Sequence, residues 1–138
     1  MVRQLLSISM GHSELEYIKV KKILVVDDSI TMVRMIQALL EQGGYCAIGI
    51  SDPNQIERTI DSERPNLILL DVVMPNRNGF QICRSLKNSQ AYMNIPVIVV
   101  TSKSTSSDRY WAEQQGANGY IAKPFAPEDL LKEVRRFA

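Results

Sequence analysis

The chain has 138 residues, 45% of them hydrophobic and 22% charged, with a formal net charge of +1. That composition supports one packed domain and gives no basic face, so a nucleic-acid-binding role is not expected. No run nears the roughly 20 apolar residues of a membrane span, no signal peptide is evident, and Cys46 and Cys83 form no CxxC or ligand cluster; the expectation is a reduced, cytoplasmic protein without membrane insertion.

Residues 1–20 read as an N-terminal extension, open to disorder, and the folded unit spans 21–138. The first strand is predicted at Ile23–Val26. Ile30, Val33, Ile36 and Leu40 then repeat at helical spacing until Gly43 and Gly44 stop the helix. A second strand is expected over Tyr45–Ile50. The next helix starts at Asp52 as N-cap, with Pro53 in the first position and Gln55 placed for a capping box. Leu67–Leu70 is a third strand, and Phe80, Cys83 and Leu86 mark a third helix. Val97–Val100 is a fourth strand, followed by a helix over about 105–115 that Gly116 ends. Tyr120–Ala122 is the last strand. The last helix opens at Pro127, sets Leu130, Leu131, Val134 and Phe137 on one face, and carries Arg135 and Arg136 in its final turn, where the helix dipole favours cations. Met32, Met35 and Met74 read as packing residues, Trp111 as partly buried, and His12 as solvent-exposed.

Four of the five strand runs are almost continuously apolar. Strands buried on both faces read this way, which favours a parallel sheet covered by helices. Strand and helix alternate five times, so the fold class is α/β with an open, doubly wound five-stranded parallel sheet.

The chemistry lies at the strand ends. Asp27 and Asp28 follow the first strand, Asp71 the third, Thr101 and Ser102 the fourth, and Lys123 the fifth. In a parallel sheet all carboxyl ends share one edge, where ligands bind. Singly, each residue has an ordinary explanation: a helix cap, a loop aspartate, a surface lysine. Together they converge. Three clustered carboxylates repel one another, and a divalent cation relieves the repulsion; all-oxygen ligands suit Mg2+. A carboxylate beside such an ion is a good phosphoryl acceptor, with Lys123 as a point charge for a phosphate oxygen and the Thr101 hydroxyl as a donor to it.

The segments Ile23–Ser29, Leu69–Pro75 with Asn78 and Gly79, Val100–Ser102 and Tyr120–Phe125 resemble the receiver domain of two-component response regulators, and the match runs over residues 22–138. The resemblance implies a flavodoxin-like, CheY-like sheet of strand order 2-1-3-4-5. It implies that Asp71 takes a phosphoryl group from a histidine kinase or phosphotransfer protein. Asp27, Asp28, Asp71 and the main-chain carbonyl of Val73 would hold Mg2+, Lys123 would bind the phosphoryl group, and Thr101 and Tyr120 would form a switch pair. It also suggests a cis peptide at Lys123–Pro124. With nothing after the fifth helix, the chain is similar to stand-alone regulators that signal through a protein target. Ser107–Ala117 resembles single-domain regulators of twitching motility, which points to a motility apparatus.

Two other readings stand beside the switch. One is a Mg2+-dependent phosphohydrolase working through an aspartyl-phosphate; it wants a second acid two residues after the nucleophile, where Val73 stands. The other is a nucleotide or flavin binder, which lacks a glycine-rich loop after the first strand.

Overall fold

The computed structural model describes residues 20–103 and 105–138. Most of the N-terminal extension, His12 included, lies outside the described residues. The elements are β1 (Lys22–Val26), α1 (Ile30–Gln42), β2 (Cys46–Ile50), a 3-10 turn (Pro53–Gln55), α2 (Ile56–Glu63), β3 (Leu67–Leu70), α3 (Gly79–Lys87), β4 (Val97–Thr101), α4 (Ser106–Gln114), β5 (Gly119–Ala122) and α5 (Pro127–Phe137). The sheet is parallel throughout, in the order β2-β1-β3-β4-β5.

Side chains alternate across the sheet and build two cores. On one face Ile23, Val25, Leu67, Leu69, Ile98 and Val100 meet Ile36 and Leu40 of α1 and Leu130 and Val134 of α5. On the other, Leu24, Val26, Ile68, Leu70 and Val97 meet Ile56 and Ile60 of α2 and Ile82, Cys83 and Leu86 of α3. Each of these large apolar side chains, once buried, contributes roughly 1.5–3 kcal/mol. α4 lies on the second face, where only Ala112 is buried along its length, beside Val72, Phe80 and Val99.

Several sequence expectations need correction. Asp52 caps the 3-10 turn through the Asn54 amide, and α2 begins only at Ile56 with no side-chain cap, so Gln55 closes no capping box. Accepting from the second amide rather than the third tightens the first turn. The capping box belongs to α4, where Thr105 and Asp108 bond each other's amides. Met35 is exposed, because the helical period that buries Val33 and Ile36 turns position 35 outward. Ile30 is also exposed. Trp111 is 55% exposed, since Ala112 is the α4 residue that faces the sheet. Cys46 is half-buried on the edge strand β2.

Candidate phosphoacceptor site

Register places the site. Val26 of β1 pairs with Leu70 of β3, so Asp27 and Asp71 leave the sheet side by side. The Asp71 amide donates to the Val26 carbonyl at 3.0 Å and the Asp27 amide to Ile50 at 3.3 Å, which holds both main chains. Thr101 of β4 pairs with Ala122 of β5, so Lys123 emerges one step further, its amide bonded to the Thr101 carbonyl at 2.9 Å. The Lys123–Pro124 peptide is cis.

One carboxylate oxygen from each of Asp27, Asp28 and Asp71 lies within 4.8 Å of the others. Asp27 and Asp71 are buried and Asp28 is exposed. The Lys123 ammonium sits 2.6 Å from Asp27 Oδ2 and 3.8 Å from Asp71 Oδ2. Asp27 also accepts from the Ser29 amide at 2.9 Å, and Ser29 caps α1 by accepting from Met32. Burial pushes the Asp71 carboxyl up to about 6; Lys123 and the Val73 amide oppose the rise, while Asp27 and Asp28 add to it. The donor set is all carboxylate, closely spaced, and carries one ammonium against three acids. Such a group fits a small divalent cation bound by oxygen.

The loop after Asp71 is shaped by a glycine. A Cβ on Gly79 would lie 2.3 Å from Val72 Cα and 2.4 Å from the Asp71 carbonyl oxygen, so only glycine lets α3 start against the end of β3. Asn78 caps α3 by accepting from Phe80 at 2.8 Å. Val73 donates its amide to Asp71 Oδ1 at 3.2 Å and leaves its side chain half exposed.

Thr101 is fully buried, and its Oγ1 accepts from the Lys103 amide at 3.2 Å. Tyr120 pairs with Val99, so it shares a sheet face with Thr101, two positions along. Its ring packs beside Val99, Phe80 and Ala112, and its buried hydroxyl has no hydrogen-bond partner among the described residues. The Arg109 guanidinium of α4 covers that ring at 4.7 Å from its centroid. Sequence reasoning finds Thr101 and Tyr120 but not Arg109. The only signal for it is a cation on the exposed side of a helix, which most surface helices carry.

An open parallel sheet of this strand order, with an acidic cluster and a lysine at its carboxyl edge, defines a CheY-like phosphoacceptor fold. The profile of the response regulator receiver domain matches residues 23–135, and the chain belongs to that family. It is 38% identical over 113 residues to the protein PilH of Pseudomonas aeruginosa, covering 82% of this chain and 93% of that one. It is 36% identical over 115 residues to the alkaline phosphatase synthesis transcriptional regulatory protein PhoP of Bacillus subtilis, covering 83% of this chain but 47% of the relative. The chain thus spans most of the first relative and about half of the second. Among solved structures it superposes on the chemotaxis protein CheY4 of Vibrio cholerae with a TM-score of 0.81 at 29% identity, covering 87% of this chain and 100% of that one. No helix among the described residues is long and apolar enough to cross a membrane.

Proposed function

We propose that this receiver domain is the phosphoacceptor switch of a two-component relay, loaded at Asp71 by a histidine kinase or phosphotransfer protein. The observation that carries the reading is the convergence of Asp27, Asp28, Asp71 and Lys123 at one sheet edge. Asp27, Asp28, Asp71 and the main-chain carbonyl of Val73 would hold Mg2+, which when bound supplies positive charge to the acceptor and to the incoming phosphate.

An oxygen of Asp71 attacks phosphorus, and the bond from phosphorus to the donor's leaving atom breaks, that atom keeping the electron pair. Without a cation, burial holds the Asp71 carboxyl at about 6, already mostly ionised at neutral pH, and a bound Mg2+ would favour the carboxylate further, so its oxygen is available to attack. Lys123, already within 3.8 Å of Asp71, turns its ammonium from Asp27 to a phosphoryl oxygen. Thr101 gives up its bond from Lys103 and donates to another.

The inward move of Thr101 frees space beside Tyr120 and changes the face made by α4, β5 and α5. A groove there is lined by Arg109, Tyr120, Phe125, Lys132, Glu133 and Arg136. One charged hydrogen bond supplies only about 1.5–3 kcal/mol, so the change is a population shift read by a protein partner. The likeness to PilH and the twitching-motility resemblance of Ser107–Ala117 favour a motility apparatus as that partner. Val73, apolar where a hydrolase would place its second acid, favours a switch over phosphohydrolase turnover.

The deciding experiment treats the protein with acetyl phosphate and Mg2+ and reads the intact mass. The parent gains one phosphoryl group and Asp71→Asn gains none. Equal labelling of both would overturn the assignment.

A further inference from the structure

We propose that Arg77 is a positioning residue for the cation site, clasping the loop between β3 and α3 to the start of α2 and thereby fixing the main chain at Val73. The proposal rests on the Mg2+ reading above. Arg77 stands outside the acidic cluster, in the middle of the loop, and no strand end or helix pattern marks it.

The guanidinium makes three contacts, one with the 3-10 turn and two with the first turn of α2. Its Nη1 donates to the Pro53 carbonyl at 2.7 Å and reaches Glu57 Oε2 at 3.4 Å, while Nη2 donates to Glu57 Oε1 at 3.0 Å. That is a fork on a carboxylate with a third bond to the carbonyl of the buried Pro53, a geometry arginine holds and lysine cannot copy. An exposed single ion pair contributes little, but the Arg77 side chain is only 27% exposed and a main-chain carbonyl shares it.

The loop needs such a tie. Among the described residues, no amide from Met74 to Asn78 donates a hydrogen bond. The ends are held by Val73 on Asp71 and by Gly79, whose amide donates to Val72 at 3.1 Å. Met74 adds one apolar anchor in the second core. Arg77 is the polar anchor between them. A ligand supplied by main chain cannot be repositioned by a rotamer change, so its placement depends on how well its loop is held. Side chains that orient ligands from behind change metal affinity by about 10–100-fold. One main-chain ligand among carboxylates puts Arg77 just below that range, with a loss of about 3–10-fold.

The test compares the parent with Arg77→Ala, Arg77→Lys and Glu57→Gln. Mg2+ is titrated by calorimetry, and exchange of the hydrogen-bonded Val73 and Gly79 amides is followed in EDTA, where no cation contributes. Arg77→Ala should weaken Mg2+ binding about 3–10-fold and speed exchange in the loop. Arg77→Lys should recover part of the affinity, and Glu57→Gln should shift both readouts less and in the same direction. Labelling by acetyl phosphate should need more Mg2+ for half-saturation while its rate at saturating Mg2+ stays within twofold of the parent's (roughly, for an effect on placement alone). Unchanged Mg2+ affinity and unchanged exchange in all three variants, with a parent that binds Mg2+, would overturn the role of Arg77 alone. A parent that binds no more Mg2+ than Asp28→Ala would overturn the cation reading and this proposal with it.

Discussion

The Lys123 ammonium lies 2.6 Å from Asp27 and 3.8 Å from Asp71, so the lysine is bound to the neighbouring acid rather than to the proposed phosphoacceptor. Both partners of the short contact are largely buried. Removing the lysine would leave two buried carboxylates facing each other. Lys123→Ala should therefore lose about 2–4 kcal/mol in EDTA. Added Mg2+ should stabilise this variant more than the parent, because a cation replaces the missing charge. Urea unfolding with and without Mg2+ reads both values, and equal Mg2+ stabilisation of variant and parent would contradict the account.

The Asp71 carboxyl sets a second expectation. Its folded value, about 6, lies above its ordinary value of 3.8. The folded state therefore binds the proton more tightly, and this contribution is full below about 3.8 and lost as pH rises through 6. Asp71→Asn, which keeps an acceptor for the Val73 amide, should be more stable than the parent by about 1–3 kcal/mol at pH near 7.5 in EDTA. The gain should vanish below about pH 3.8, where both states are protonated. A difference independent of pH would rule out the buried charge as its source.

Thr101→Ala should still accept a phosphoryl group at Asp71, since it removes no acid and no ammonium. It should bind its protein partner with nearly the same affinity in both states. Full discrimination between phosphorylated and unmodified protein by this variant would separate the hydroxyl from the signal.

Tyr120→Phe removes a hydroxyl that is buried without a partner among the described residues. It should leave the protein as stable or stabilise it by about 1 kcal/mol. Arg109→Ala, which uncovers the same ring, should cost about 0.5–1 kcal/mol. Thermal unfolding of the two variants measures both; a large loss in Tyr120→Phe would reveal a bond to the hydroxyl.

Gly79→Ala forces a methyl into the main chain of Asp71 and Val72. A loss of about 2 kcal/mol or more is expected, together with slower labelling of Asp71. Unaltered labelling would show that the loop can yield without moving the acceptor.

The strand ends were readable because burial on both faces makes an uninterrupted apolar run, and a charged residue closing that run is conspicuous. Asp27, Asp71 and Lys123 each announce themselves in this way, and sheet register does the rest. Arg77 and Arg109 were hidden because their partners, Glu57 and Tyr120, come from other elements and neither arginine lies on a patterned face. The helix expected to start at Asp52 and Pro53 begins only at Ile56, because proline-led turns can close on either the second or the third amide. Trp111, expected to be partly buried, is exposed because the rotation of a short helix sets Ala112 against the sheet instead.

The thin anchoring of α4 has a thermodynamic meaning. With Ala112 its only buried side chain and Thr105–Asp108 holding its first turn locally, this helix can come away from the sheet for a small part of the global unfolding free energy. The two large cores, on β1, β3, β4 and the other helices, would persist through such an opening. Under the proposed phosphorylation of Asp71, the weak energy of a phosphoryl group would act on a helix with a single buried side chain, so that a modest chemical input could change the shape of this face without endangering the fold.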